Sequence, residues 1–309
     1  MHKETIPTHG ITGPNSSVKP PKRKEGSVSM AILQSPRNPW ICELRRLWTH
    51  SNFRRQRLFP IEGPKLIEEA GKAGIIMDTV LTTPRFEASS QHSALLANLR
   101  QTAGTYRLAE EQVLQSISNA EQHQGILALA QRPKTQSLEQ LFSLPQFVLV
   151  LVDMQDPGNC GALARSHLAF GGRLLVTIGS TADPLSSKAL RASAGAVLHL
   201  SLAHFRTFPE FHSHNLFSRL PLLAALPRGG RHPESLSAKI PAALLMGNES
   251  RGLPVEVLQI CAEKISLPMA DITESLNAAV AGSLLLYELG RYYHLGPFRE
   301  HHEASSRPF

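Results

Sequence analysis

The sequence predicts an α/β protein of two domains, and three observations carry that prediction. Short β-branched and leucine-rich runs alternate with amphipathic stretches through residues 57–293, the pattern of sheets covered by helices. The most apolar run, Phe147-Val-Leu-Val-Leu-Val152, has no polar alternation, which marks a strand buried on both faces of a parallel sheet. A polar, proline-bearing linker at 133–146 separates two such units, and 309 residues accommodate two domains of ordinary size.

In chain order, residues 1–36 read as a disordered basic leader rich in Pro, Gly, Ser and Lys. Met30 begins Met-Ala-Ile-Leu-Gln-Ser-Pro, which looks more like the start of a folded chain and could even be an alternative start. Residues 39–58 read as a basic helix, with Trp40, Leu44, Leu47 and Trp48 on one face and Arg45 and Arg46 beside it. It is either a packed surface helix or an RNA-contacting arm, and the two are compatible.

The first domain spans 37–132 with that arm included. A strand at 58–61 leads through Gly63-Pro64 into a helix at 65–73, Pro64 sitting where a missing N–H costs nothing. A strand at 75–82, a helix at 90–102, an amphipathic segment at 108–117 and a buried strand at 124–130 follow. The second domain spans 147–296, with a tail at 297–309. Strands are expected at 147–152, 173–177, 197–202, 222–226, 242–246 and 263–267, and helices at 162–170, 186–194 and 255–261. Pro268 ends the last strand because it has no N–H to donate. Thr273 or Ser275 is expected to cap a long final helix. That helix opens with Ala278, Ala279, Ala281 and Gly282, so another helix, a second subunit or a ligand must approach its backbone closely.

Composition excludes several classes. No apolar run reaches the ~18 residues of a membrane span. Cys42, Cys160 and Cys261 are odd in number and widely spaced, and the 14 histidines show no metal-binding spacing, so neither a disulfide framework nor a metal site is expected. A reducing compartment follows, hence the cytoplasm, or an organelle if the leader is a transit peptide. The net charge of +7 is concentrated in residues 1–60, where eleven Lys/Arg face Glu4, Glu25 and Glu43. A basic leader on a near-neutral body points to a polyanion partner.

Ligand chemistry in such a sheet belongs at the carboxyl ends of the strands. Three polar loops fall there: Asp153, Asp156, Asn159 and Arg165; Gly247-Asn-Glu-Ser-Arg-Gly252; and Thr273, Glu274, Ser275 and Asn277. All three can converge on one crevice. No dinucleotide-binding glycine fingerprint, phosphate-binding P-loop or nucleophile elbow is present.

These loops resemble the motifs of the SpoU (TrmH-type) branch of the SPOUT RNA methyltransferases. The first is Asp153-x-x-Asp-Pro-x-Asn159-x-Gly161-x-x-x-Arg165, the second Leu245-Met-Gly-Asn-Glu-Ser-Arg-Gly-Leu253, and the third runs from Leu267-Pro-Met to Ser275-Leu-Asn277. The run Lys188-Ala-Leu-Arg-Ala-Ser-Ala-Gly-Ala196 also fits, and the first domain is similar to the family's L30e-like substrate-binding domain. The likeness covers residues 40–293. Ala278-Ala279 stand where the family often has Val-Ser, which bears on packing rather than chemistry.

The resemblance implies transfer of a methyl group from S-adenosylmethionine to a ribose 2′-hydroxyl in RNA, without metal. It implies a deep trefoil knot, a rare departure from unknotted topology, and a homodimer with the cofactor near the subunit interface. By position, Gly247, Leu267 and Leu276, with Met246 and Met269, are implied to hold the cofactor. Arg165, Glu249, Ser275, Asn277 and Asn159 are implied at the reacting hydroxyl, with Glu249 accepting from it or holding Arg165. Arg165 is either a general base or an orienting cation; a guanidinium pKa above ~12 favours the second. The expected partner is RNA, with no membrane and no DNA. The separate L30e-like domain favours rRNA over tRNA; a non-catalytic RNA-binding factor of the same fold is the alternative of another class.

Overall fold

A computed structural model describes residues 29–49, 57–118, 120–133, 141, 147–237 and 240–298. The expectations for the leader up to residue 28, the linker at 134–140 and 142–146, and the tail from 299 lie outside those residues.

Among the described residues, eleven strands form two sheets. The first domain holds β1 (Ser29–Leu33), β2 (Leu58–Glu62), β3 (Met77–Thr82), β4 (Thr105–Ala109) and β5 (Ile126–Gln131) in the order β1-β4-β3-β5-β2. Its helices are α1 (Pro39–Thr49), α2 (Pro64–Lys72), α3 (Pro84–Glu87), α4 (Ser93–Thr102) and α5 (Glu111–Gln115). The expectation that 1–36 is unstructured leader fails at its end: β1 joins the sheet edge, parallel to β4. The stretch at 108–117 divides between the end of β4 and the short α5.

Helix α1 belongs to the first domain's core. Ile41, Leu44 and Trp48 are buried against Leu81, Ala109, Val113, Leu114, Leu127 and Leu129. Arg45 is spent structurally, donating to Ser116 O and Oγ at 2.8 Å each and to Pro36 O at 3.0 Å. Of the two arginines read as an RNA arm, only Arg46 remains solvent-facing.

The second domain is a six-stranded, wholly parallel sheet in the order β11-β9-β10-β6-β7-β8. The strands are β6 (Phe147–Val152), β7 (Leu174–Ile178), β8 (Ser201–Phe205), β9 (Leu222–Ala225), β10 (Ala242–Met246) and β11 (Glu263–Ile265). All six residues of β6 are buried, as its unbroken apolar run requires. The helices are α6 (Pro157–Ala169), α7 (Ser187–Ala192), α8 (Phe208–Ser213), α9 (Val255–Ile260) and α10 (Ala278–Tyr292). Residues alternate between the faces: Leu149 and Leu151 pack with Leu163, Leu190, Leu285 and Leu289, whereas Val148 and Val150 pack with Phe211, Phe217 and Val257.

The strand expected at 197–202 sits later. Ala196–His199 form a 3₁₀ turn after left-handed Gly195 (φ 84°), and β8 begins at Ser201. Helix α6 also starts earlier than expected, because Asp156 caps it by accepting from Gly158 N at 3.0 Å, with Pro157 in the first turn.

The domains meet along α2. Glu69 lies 3.2 Å from His199 Nε2, Leu66 and Glu69 pack on Gly195, and Arg132 pairs with Asp183.

Candidate active site

The sheet order fixes where a site can form. From β6 the chain moves outward to β7, and from β10 it moves the opposite way to β11, yet β6 and β10 are neighbours. Their carboxyl ends therefore open a crevice at a topological switch point.

The loop after β6 is anchored first. Asp153 takes a left-handed conformation (φ 52°), and its Oδ1 accepts from Ser180 N at 2.7 Å and Ser180 Oγ at 2.9 Å. Asn248 Nδ2 donates to Asp153 O at 2.9 Å, tying the loop after β10 to the loop after β6. Asn248 Oδ1 also accepts from the amides of Ser250 and Arg251. Gly247 is needed by this turn itself: a Cβ there would stand 2.3 Å from the carbonyl carbon of Gly252.

Glu249 crosses the crevice. Its carboxylate accepts from Gln155 N at 3.3 Å, Asp156 N at 3.1 Å and Asn159 Nδ2 at 3.2 Å. Asn159, nine-tenths buried, in turn accepts from Asn277 Nδ2 at 3.1 Å. All three loops thus meet through Glu249, Asn159 and Asn277. Desolvation pushes the Glu249 carboxyl up, but hydrogen bonds from its own amide, Asn159, Asp156 and Gln155 outweigh it and hold the group below the ordinary carboxylate range. The Lys188 ammonium at 2.7 Å and the Gly158 amide hold Asp156 low as well. Both acids are therefore ionised at neutral pH, so Glu249 can accept a hydrogen bond from a hydroxyl but cannot donate one.

The cap of α10 differs from expectation. Neither Thr273 nor Ser275 caps it; Asn277 does, its Oδ1 accepting from Ala279 N at 2.9 Å and Val280 N at 3.2 Å. The small residues beyond it serve helix packing. A Cβ on Gly282 would lie 2.4 Å from Leu163 Cδ2 and 3.1 Å from Met246 Cε, and Ser283 shares a 2.7 Å hydrogen bond with Ser166 of α6. Met246 is consequently core, its side chain buried under α10.

The loop between β11 and α10 lies open. Leu267 and Met269 are half-buried, Ser275 and Leu276 exposed, and Ile272 is 94% exposed. Ser275 makes no hydrogen bond to a described residue. Sequence reasoning missed Arg228, which reaches this loop from the β9–β10 connection: its Nη2 donates to Ala270 O at 2.8 Å and Thr273 O at 2.7 Å. Leu226-Pro-Arg-Gly-Gly230 reads only as a turn, and the pairing spans more than forty residues, so no local signal announces it.

Arg165 stands apart. It lies six residues beyond Asn159, which rotates it away from the Asn159 face of α6. Glu249 does not hold it, and it makes no hydrogen bond or ion pair to a described residue. Instead it is exposed in a cavity of about 620 Å³ between the domains, shared with Glu69, Arg173, Ser193 and His199.

Comparison with known proteins accounts for both domains. Residues 146–287 match the model of the SpoU rRNA Methylase family, and residues 38–128 match that of the MRM3-like substrate binding domain. An uncharacterized tRNA/rRNA methyltransferase of Mycobacterium bovis is 30% identical over 74% of this chain and 84% of its own length. The chain belongs to the SpoU methyltransferase family. The Bacillus subtilis 23S rRNA (guanosine(2553)-2'-O)-methyltransferase RlmP is 26% identical over 84% of this chain and 99% of its own. The SpoU methyltransferase AviRb of Streptomyces viridochromogenes, in complex with AdoMet, superposes with a TM-score of 0.73 at 27% identity, covering 84% of this chain and 100% of that one.

The residues present fit that cofactor. Main-chain groups of Leu267, Met269 and Leu276 carry no hydrogen bond to a described residue, and apolar side chains flank them. An adenosine-and-methionine ligand is recognised by this combination of unpaired backbone donors and acceptors with apolar walls.

Proposed function

We propose that this chain, an S-adenosylmethionine-dependent RNA 2′-O-ribose methyltransferase, modifies rRNA as a homodimer with a knotted catalytic domain. The observation that carries the site assignment is the hydrogen-bonded series Glu249–Asn159–Asn277, which joins three loops at one switch point. In this reading Gly247, Leu267, Met269 and Leu276 hold the cofactor through main chain and apolar contact, and Met246 supports them from the core.

When bound, the cofactor supplies a methyl group already activated by its sulfonium. The chain's task is alignment of the ribose and management of one proton. Arg165, without a partner among the described residues, clamps a substrate phosphate and orients the hydroxyl; a planar fork of donors suits that role better than proton abstraction. Ionised Glu249 keeps Asn159 and the loop after β6 in place, and its depressed basicity suits anchoring more than general-base work. Ser275, exposed beside Leu276, is available to the substrate.

The rRNA assignment is supported by the accessory domain at 38–128 and by the rRNA named for the Bacillus relative. The dimer is supported by Val280, Leu284 and Tyr287, which expose an apolar stripe at helical spacing along α10, with Leu276 exposed just ahead of the helix. The test is a map of 2′-O-methylation across rRNA and tRNA with and without the gene. Loss of one rRNA site is expected; loss confined to tRNA, or no loss, refutes the assignment.

A further inference from the structure

We infer that Arg228 is a positioning residue for the cofactor, acting by holding the loop between β11 and α10 in its binding shape. This rests on the assignment of Leu267, Met269 and Leu276 to the cofactor. Residues 270–276 are all exposed, so packing does little to fix them. Within the loop, Thr273 N donates to Ala270 O at 3.1 Å. Among the described residues, Arg228 is the sole group outside the loop to hydrogen-bond residues 267–275. Its Nη2 bridges the carbonyls of Ala270 and Thr273, and its Nη1 donates to Asp271 Oδ1 at 3.3 Å.

The side chain is well placed to do this because its own backbone is fixed. Just beyond it, Gly230 N donates to Ser266 Oγ at 3.1 Å and Ser266 Oγ donates to Gly230 O at 3.0 Å. Arg231 N donates to Lys264 O at 2.7 Å, and Ser266 N to Arg231 O at 3.1 Å. A Cβ on Gly230 would stand 2.4 Å from the carbonyl carbon of Ile265, so the two strands of chain run in backbone contact. The β9–β10 connection is thereby locked to the start of the loop, and Arg228 carries that rigidity to its far side.

A free loop must be ordered when the ligand binds, which costs conformational entropy for every backbone residue fixed. Arg228 meets part of that cost in advance, and a planar guanidinium can bridge two carbonyls where an ammonium cannot. It touches neither the reacting hydroxyl nor the Glu249–Asn159–Asn277 series.

The test measures binding of S-adenosylhomocysteine by calorimetry and amide hydrogen exchange of residues 267–276 in the ligand-free protein, for wild type, Arg228→Ala, Arg228→Lys and Leu276→Asp. Arg228→Ala is expected to weaken binding about tenfold, because the loop is then ordered only when the ligand binds, and to speed exchange in the loop. Arg228→Lys should fall between it and wild type. In turnover, KM for the methyl donor should rise while kcat at saturation stays within about twofold, because the loss is one of uniform binding. Ligand affinity in Arg228→Ala within twofold of wild type, or unchanged loop exchange, overturns the inference. Leu276→Asp separates the two failures: unchanged affinity in that variant refutes the cofactor assignment of the loop instead.

Discussion

Asn277 uses both ends of one amide: its Oδ1 caps α10 at Ala279 N and Val280 N, while its Nδ2 donates to Asn159 Oδ1 at 3.1 Å. A helix start and the junction of the three crevice loops are thereby made to depend on a single side chain. The two jobs can be separated. Asn277→Asp retains the acceptor and should keep stability close to wild type, while placing a carboxylate against the Asn159 carbonyl oxygen. Asn277→Ala removes both and should cost about 1 kcal/mol, the usual value of an N-cap. Both variants should lose methyl transfer by tenfold or more. Urea unfolding and single-turnover methylation read the two effects independently; full activity in Asn277→Asp would show that the cap alone matters.

Arg165 has no hydrogen-bond or ion-pair partner among the described residues. Arg165→Ala should therefore leave stability within about 0.5 kcal/mol, as for other exposed positions, and abolish methyl transfer. Arg165→Lys divides its roles: retained RNA affinity without turnover means that the fork geometry is required, whereas retained turnover means that a point charge suffices. Filter binding and methylation assays on the same RNA decide between them. Near-normal transfer by Arg165→Ala would remove this residue from the site.

Burial pushes the His167 imidazole down to about 4, and its Nε2–H donates to Leu174 O at 3.0 Å. The unfolded chain takes up a proton near pH 6.5, whereas the folded one stays neutral until about 4. Protons therefore favour the unfolded state across that window, and stability falls as pH drops from 6.5 toward 4, by about 3 kcal/mol in all. Above pH 7 this residue adds no slope. Denaturant midpoints at pH 7.5 and 5 should differ in wild type and differ less in His167→Asn; an identical pH dependence in the two would mean that His167 takes up its proton equally in the folded and unfolded chain.

The sheets were legible in the sequence where the chain is apolar without interruption. Phe147–Val152 and Ala242–Met246 form strands over the bounds their composition suggests. Legibility failed where several residue types satisfy one rule. Thr273, Ser275 and Asn277 all suit an N-cap, and only the path of the loop selects the last. It failed again where order comes from distant pairing. Ser29–Leu33 is short and follows a polar leader, and it becomes a strand because β4 offers it an edge. For the site, loop composition brought Asn159, Glu249 and Asn277 together correctly. It could not show that α6 turns Arg165 toward the first domain, since that depends on where the helix starts and what α2 packs against.

Gly158 and Gly161 lie one turn apart in the first motif and should respond oppositely to alanine. A Cβ on Gly161 would stand 2.3 Å from Ala189 O and 2.8 Å from Ala192 Cβ. A backbone carbonyl in α7 cannot rotate aside, so α6 and α7 must separate and the crevice loop moves with them. Gly161→Ala should cost about 2–3 kcal/mol, in the upper range for overpacking, and reduce activity along with stability. The atoms nearest a Cβ on Gly158 are those of the part-exposed Asp156 carboxylate, at 3.2 Å, a side chain that can give way, and the amide that Asp156 caps is retained. Gly158→Ala removes backbone freedom from the unfolded chain, so it should be neutral or stabilising by up to about 1 kcal/mol. Thermal denaturation of the pair measures this directly. Equal losses in both would mean that the first turn of α6, rather than its contact with α7, sets the demand for glycine here.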